Sequence, residues 1–140
     1  MYGIDDFLRD TFVSEKEYIE RGGTLIAYRY IQRPRIYCFD GFHISVQGND
    51  GVYCSPRKYV KYYTEMELGY PSKKEESILE YAEEPKAPTK TVYGHVPIDV
   101  IKKMIIKHNG INIKKTYKDW PYRMIMLERE KKLKKILNIK

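Results

Sequence analysis

Apolar residues recur along this chain at two different spacings, and the switches between them mark its elements. Ile4, Phe7, Leu8 and Phe12 fall at helical intervals and predict an amphipathic helix in "GIDDFLRDTF". Ser14 and Glu17 make a capping-box pair, so a second short helix starts there and Gly22-Gly23 ends it. "TLIAYRYI", residues 24–31, reads as a strand, and after Pro34 "RIYCF" reads as the next. Asp40-Gly41 is a hairpin signal, because a type I′ turn needs positive φ at both central residues. It joins "RIYCF" to "FHISVQ", and "GNDG" reverses the chain again into "VYCS". Cys38 and Cys54 thereby fall on nearby strands of a three-stranded meander, whose third strand Pro56 ends or marks as an edge.

"YTEMELGY" alternates as a further strand. In "PSKKEESILEYAEE", Ser72 and Glu75 form a second capping box, and Ile78, Leu79 and Ala82 make an inward helical face. The two prolines of "EPKAPT" predict a loop, and "TVYGHV" a short strand. Pro97 sits at the first helical position of "PIDVIKKMIIKHNG", whose buried stripe is Ile98, Ile101, Met104 and Ile105 and whose stop is Gly110. "INIKK" reads as a last short strand. A final helix starts at Trp120, with Glu128–Lys132 and Glu130–Lys134 paired at i,i+4. Its apolar residues form no single seam, so it is expected to dock on the sheet or on a second copy of itself, as a homodimer. The pattern as a whole predicts an α+β fold. A mainly antiparallel sheet of five to six strands carries helices near residues 72–83 and 97–109, with helices at both ends. The chain divides into an α+β domain with an N-terminal helical segment, residues 1–118, and a basic helix, residues 119–140.

Composition narrows the class. Apolar content of 42% with 32% charged residues is that of a globular chain rather than a disordered one. No apolar run approaches the roughly eighteen residues of a membrane span, and the N-terminus is acidic and polar, unlike a secretory signal. The expected location is the cytoplasm, where both cysteines stay reduced. The charge of +7 is unevenly placed: residues 1–99 hold 13 Lys+Arg and 16 Asp+Glu, residues 100–140 hold 13 and 3. That asymmetry points to an anionic partner for the C-terminal end, with Arg129, Lys131, Lys132, Lys134 and Lys135 as its contacts. Nucleic acid, a nucleotide or an acidic protein surface all fit. Fourteen tyrosines add flat, polar-tipped faces suited to half-buried strands, interfaces and stacking.

Catalytic signatures are sparse. Cys38, Cys54, His43 and His95 match no zinc spacing, so neither metal nor cofactor is expected. Cys54 with His43 or His95, and Arg57 to hold a thiolate, is the one nucleophile arrangement on offer. Phosphate-loop, dinucleotide and nucleophile-elbow motifs are absent. A binding pocket reads better: His43, Tyr53, Arg57, Tyr93 and His95 all lie on or beside strand segments. Arginine and histidine supply donors to phosphate there, and tyrosine a stacking face. Strand alternation keeps Tyr53 and Cys54 on opposite faces.

Three segments carry a resemblance when taken in order. "DGFHISVQGNDGVYCSPR", "ELGYPSKKEESILEYAEEP" and "TVYGHVPIDVIKKMIIKHNGI" together resemble a family of small proteins carried by bacteriophages and prophages, over roughly residues 36–111. The N-terminal helix and the basic tail lie outside the matching block. What the resemblance implies is context: a small phage protein without catalytic motifs that works by binding. The first expectation is therefore a non-enzymatic protein that counteracts host defence, binding a host defence complex or sequestering an anionic nucleotide signal. The alternative is a nucleic-acid-binding accessory factor of phage replication or transcription. The third is a small nucleotide-processing enzyme using Cys54 or His95.

Overall fold

The structure is a computed structural model that describes residues 1–136, with side chains through Lys131. Three short helices lead: α1 (Ile4–Thr11), α2 (Glu15–Glu20) and α3 (Leu25–Tyr28). Ile4, Phe7 and Leu8 bury the inner stripe of α1, and Asp6 accepts the Gly3 N–H at 2.9 Å to close its first turn. The Ser14–Glu17 capping box forms as read, each residue's side chain accepting the other's N–H, at 3.1 and 3.0 Å.

The sheet follows as a plain antiparallel meander of β1 (Ile36–Tyr37), β2 (His43–Gln47), β3 (Glu65–Gly69) and β4 (Val92–Pro97). Ile44, Val46, Met66, Leu68, Tyr93 and Val96 turn one face inward. Ile101, Met104 and Ile105 of α4 (Ile98–Lys107) complete the core with the α1 stripe. Pro97 stands one place earlier than read, at the N-cap of α4, and Gly110 ends the helix region at φ +86.

The sheet has four strands where five to six were expected, and each difference has a local cause. Residues 24–31 are not a strand: Thr24 Oγ1 accepts the Ala27 N–H at 3.2 Å and caps α3, a closure that needs no neighbouring strand. "VYCS" forms no strand: its one ladder-type bridge is Ser55 to Glu65, and Tyr53 O accepts a lone bond from the His95 N–H at 3.0 Å. Ile111 makes a single bridge to Cys38 before Asn112 caps α5 (Ile113–Tyr117) through the Lys115 N–H at 3.1 Å. The Asp40-Gly41 hairpin exists, but not as type I′. Gly41 donates to Cys38 O at 3.1 Å and only Gly41 has positive φ, which is the longer loop with a left-handed glycine at its end. The expected helix near 72–83 is a 3₁₀ helix at Glu76–Tyr81, capped by Glu75. Ser72 cannot cap it, because its Oγ accepts the His43 N–H at 3.0 Å and ties it to β2.

The last helix, α6 (Arg123–Ile136), docks on the N-terminal helices instead of on the sheet. Arg129 donates to Phe12 O at 2.7 Å and Glu17 Oε1 at 2.6 Å, and Arg21 pairs with Glu128 at 2.8 Å. Among the described residues no helix is long and apolar enough to cross a membrane.

Candidate functional site

One irregularity in the sheet shapes the best candidate. Met66 pairs with Val96 and Leu68 with Tyr93, so Gly94 and His95 together face Glu67 alone. This is a β-bulge, which bends a strand and re-aims a side chain. His95 adopts φ +51, a left-handed backbone that non-glycine residues rarely take. Its imidazole is half exposed on the outer side of the sheet. Gly94 is small for a reason: a Cβ there would stand 3.2 Å from the Tyr53 Cβ.

The loop carrying Tyr53 lies directly against the bulge. His95 N–H donates to Tyr53 O at 3.0 Å, and Tyr53 N–H donates to Glu67 Oε2 at 3.0 Å. The Tyr53 and His95 rings are 6.0 Å apart, and the Arg57 guanidinium lies 5.4 Å from the Tyr53 ring centre. "VYCSPR" and "TVYGHV", distant in sequence, thus meet. Glu65 Oε1 stands 3.0 Å from His95 Nδ1 and accepts from Ser55 Oγ at 3.1 Å. A carboxylate on Nδ1 fixes the ring and leaves Nε2 facing solvent, ready to accept or donate. Ser55 and His95 share one carboxylate oxygen and do not bond each other, so no nucleophile–base relay is assembled.

Tyr53, Arg57 and His95 are therefore brought together, as their sequence pattern suggested. Tyr93 and His43 are not. Tyr93 is fully buried and its hydroxyl donates to Pro88 O. Simple alternation would put Tyr93 and His95 on one face, and the extra bulge residue puts them on opposite ones. Gly94 inside a strand pattern was the available signal for that break. His43 stacks on Tyr37 at 4.8 Å and accepts from Arg35 Nε at 2.7 Å. Burial, then the nearby Arg35 and Lys115 charges, push its pKa down.

The nucleophile reading loses its centre. Cys54 is 1% exposed, with Sγ 3.4 Å from Asn49 O and 3.3 Å from Pro56 O. Burial pushes its thiol up, the reverse of what a reactive thiolate needs. Burial, helped by Asp40, takes the Cys38 thiol to about 11. Both cysteines are expected to resist an aromatic disulfide reagent in the native protein and to react fully after denaturation. Rapid native labelling of either would contradict this burial. Among the described residues no group of His, Cys, Asp and Glu stands in metal-holding geometry.

Of the basic residues expected to face a partner, Arg129 is instead tied to Glu17 and Phe12 inside the fold. Lys131 is exposed, and the side chains of Lys132, Lys134 and Lys135 lie outside the described residues. Sequence reading missed a buried network. His108 Nε2 stands 2.7 Å from Glu75 Oε1 and Nδ1 2.6 Å from Asp40 Oδ2, with its ring stacked 4.0 Å from Phe42. Lys107 Nζ adds 2.9 Å to Glu75 Oε2. No local pattern announces it, because its members come from three separate segments.

Fold and site together define a small α+β protein with an open four-stranded antiparallel sheet, whose outer side carries a bulge-borne, carboxylate-oriented histidine. No protein-family model, no curated protein and no solved structure matches the chain.

Proposed function

We propose that this chain is a bacteriophage-type binding protein that counteracts host defence by holding an anionic nucleotide signal without turning it over. The observation that carries the reading is the bulge that places strained His95 beside Tyr53 and Arg57. Backbone strain of this kind costs about 1–3 kcal/mol and persists where the surroundings impose it, commonly at binding sites. Arg57 supplies guanidinium donors for a phosphate, and His95, with Nδ1 on Glu65, offers Nε2 as a further hydrogen-bonding atom for the nucleotide. Tyr53, 50% exposed, supplies a flat apolar face for a base. Glu65 and Glu67 are each already hydrogen-bonded within the patch, to His95 and Ser55 and to the Tyr53 N–H. Binding is favoured over turnover because Cys54 is buried and Ser55 has no base. The defence context rests on the resemblance over residues 36–111, whose "YCSPR" and "TVYGHV" segments supply this patch.

Calorimetric titration with a panel of nucleoside di- and triphosphates and cyclic oligonucleotides tests the reading. One class should bind saturably, and Arg57→Ala or His95→Ala should each cost about 1.5–3 kcal/mol, the usual worth of a charge-assisted hydrogen bond. Cys54→Ser should leave affinity unchanged. Absence of binding across the panel, or binding indifferent to both patch substitutions, would reject the proposal.

A further inference from the structure

A second surface lies on other elements. α1, α2, α5 and α6 wall an open groove of about 1150 Å³. Its lining carries Arg9, Lys61, Lys114, Lys118, Arg123 and Arg129 against Asp10, Glu17 and Glu130. Part of this charge is already committed within the wall: Arg9 bonds Asp10 at 2.9 Å, and Arg129 bonds Glu17 at 2.6 Å. Lys61, Lys114, Lys118 and Arg123 are exposed and have no carboxylate partner among the described residues. Between these cations the groove is apolar, with Ile113 and Leu127 at 45% and 46% exposure and Met126 half-buried beside them.

We infer that this groove is a docking site for an acidic, amphipathic segment of a partner protein. Charge complementarity sets the sign of the occupant, because unpaired cations rim the groove. The apolar lining then separates the anionic candidates. Single-stranded nucleic acid is held by bases stacked on exposed aromatic faces. The groove's aromatic rings are already engaged: Phe12 stacks on Tyr59 at 5.3 Å with Lys61 5.7 Å from its ring centre, Tyr117 stacks on Phe7 at 6.4 Å and is 6% exposed, and the half-buried Tyr2 packs edge-on to Tyr117 with its hydroxyl on Asp10. What remains open is aliphatic and sulfur-bearing, from Ile113, Met126 and Leu127. Such a surface receives leucine- or phenylalanine-type anchors from an amphipathic helix, and methionine adapts to irregular ones. Carboxylates flanking those anchors meet Lys61, Lys114, Lys118 and Arg123.

The test uses the full chain and two labelled probes: a helical peptide of alternating leucine pairs and glutamate pairs, and an oligo-thymidylate of equal net charge. The peptide should bind saturably by fluorescence anisotropy at physiological salt, and the oligonucleotide much more weakly. Lys114→Glu with Lys118→Glu should weaken the peptide at least about tenfold, as reversing interfacial charge does. Leu127→Ser should weaken it about as much, since an apolar anchor loses its contact. Arg57→Ala, on the far patch, should change nothing. All these positions are exposed, and thermal melting of each variant separates lost binding from lost folding. Failure of the peptide to bind, indifference to Leu127→Ser in a folded variant, or tighter binding of the oligonucleotide would each overturn the inference.

Discussion

Glu75→Ala is expected to lower folding stability by about 3–5 kcal/mol, the cost of removing one partner from a buried ion pair and leaving the other. Glu75 is 2% exposed and accepts from His108, Lys107 and both the N–H and hydroxyl of Ser77. His108, 4% exposed, has a carboxylate at each ring nitrogen, Asp40 at 2.6 Å from Nδ1 and Glu75 at 2.7 Å from Nε2. Removing Glu75 strips the buried His108 Nε2 and the Lys107 ammonium of their shared carboxylate. The same residue sets an acid limit. Burial alone would raise the Glu75 carboxyl, but hydrogen bonds from Ser77, His108 and Lys107 outweigh it and hold the group at about 2 against an ordinary 4.5. A depressed folded-state value means the contribution is complete above 4.5 and lost as pH falls from there towards 2. Asp40 is shifted the same way: burial opposes, while the Phe42 N–H and His108 prevail. Thermal melts from neutral to acid pH should show wild type losing stability across that window and Glu75→Gln losing much less. Parallel curves for the two proteins would refute the assignment.

Arg33→Ala should cost a comparable amount, about 3–5 kcal/mol, by urea unfolding, and for a different reason. Arg33 is 3% exposed and pairs with no carboxylate among the described residues. Its guanidinium donates to Thr11 Oγ1 at 2.9 Å, Gly48 O at 3.3 Å and Val60 O at 2.9 Å. The Tyr59 and Tyr63 rings lie 5.0 and 5.6 Å from it. Gln47 brackets its backbone, accepting the Arg33 N–H at 2.7 Å and donating to Arg33 O at 2.8 Å. One side chain thus joins the end of α1, the end of β2 and the loop before β3. Truncation takes their donor from Thr11 Oγ1 and Val60 O, each at about 1–3 kcal/mol, while Gly48 O keeps the Tyr63 hydroxyl at 2.8 Å. Arg33→Lys is expected to recover little, because a single ammonium cannot span three acceptors set out for a planar fork. A lysine variant as stable as wild type would show that charge alone, not the fork, is what the site requires.

Elements closed by neighbours in sequence were legible from the sequence. The Ser14–Glu17 box, the α1 stripe of Ile4, Phe7 and Leu8, the strands at "HISVQ", "EMELG" and "TVYGHV", and α4 between Pro97 and Gly110 all stand close to where their patterns put them. Their signals act over one turn or one pleat, so nearby residues suffice. The α+β class followed from them. The misread segments were those where a local alternative was as cheap as the strand. Thr24 and Asn112 each offered a cap, and "VYCS" satisfied its backbone piecemeal, on the main chain of Val52, Glu65 and His95 and on the Glu67 side chain.

The tertiary structure alone decided which chemistry meets. Tyr53, Arg57 and His95 were visible as residue types, but the bulge at Gly94–His95 is a matter of register against β3. It admitted His95 to the outer patch and sent Tyr93 into the core. The Asp40–His108–Glu75 network and the Arg33 cross-link each join three distant segments. Their energies come from burial, which raises the worth of every hydrogen bond made and the cost of every one missed. Burial belongs to the assembled molecule, so periodicity and caps could determine the elements while only their packing determined the sites.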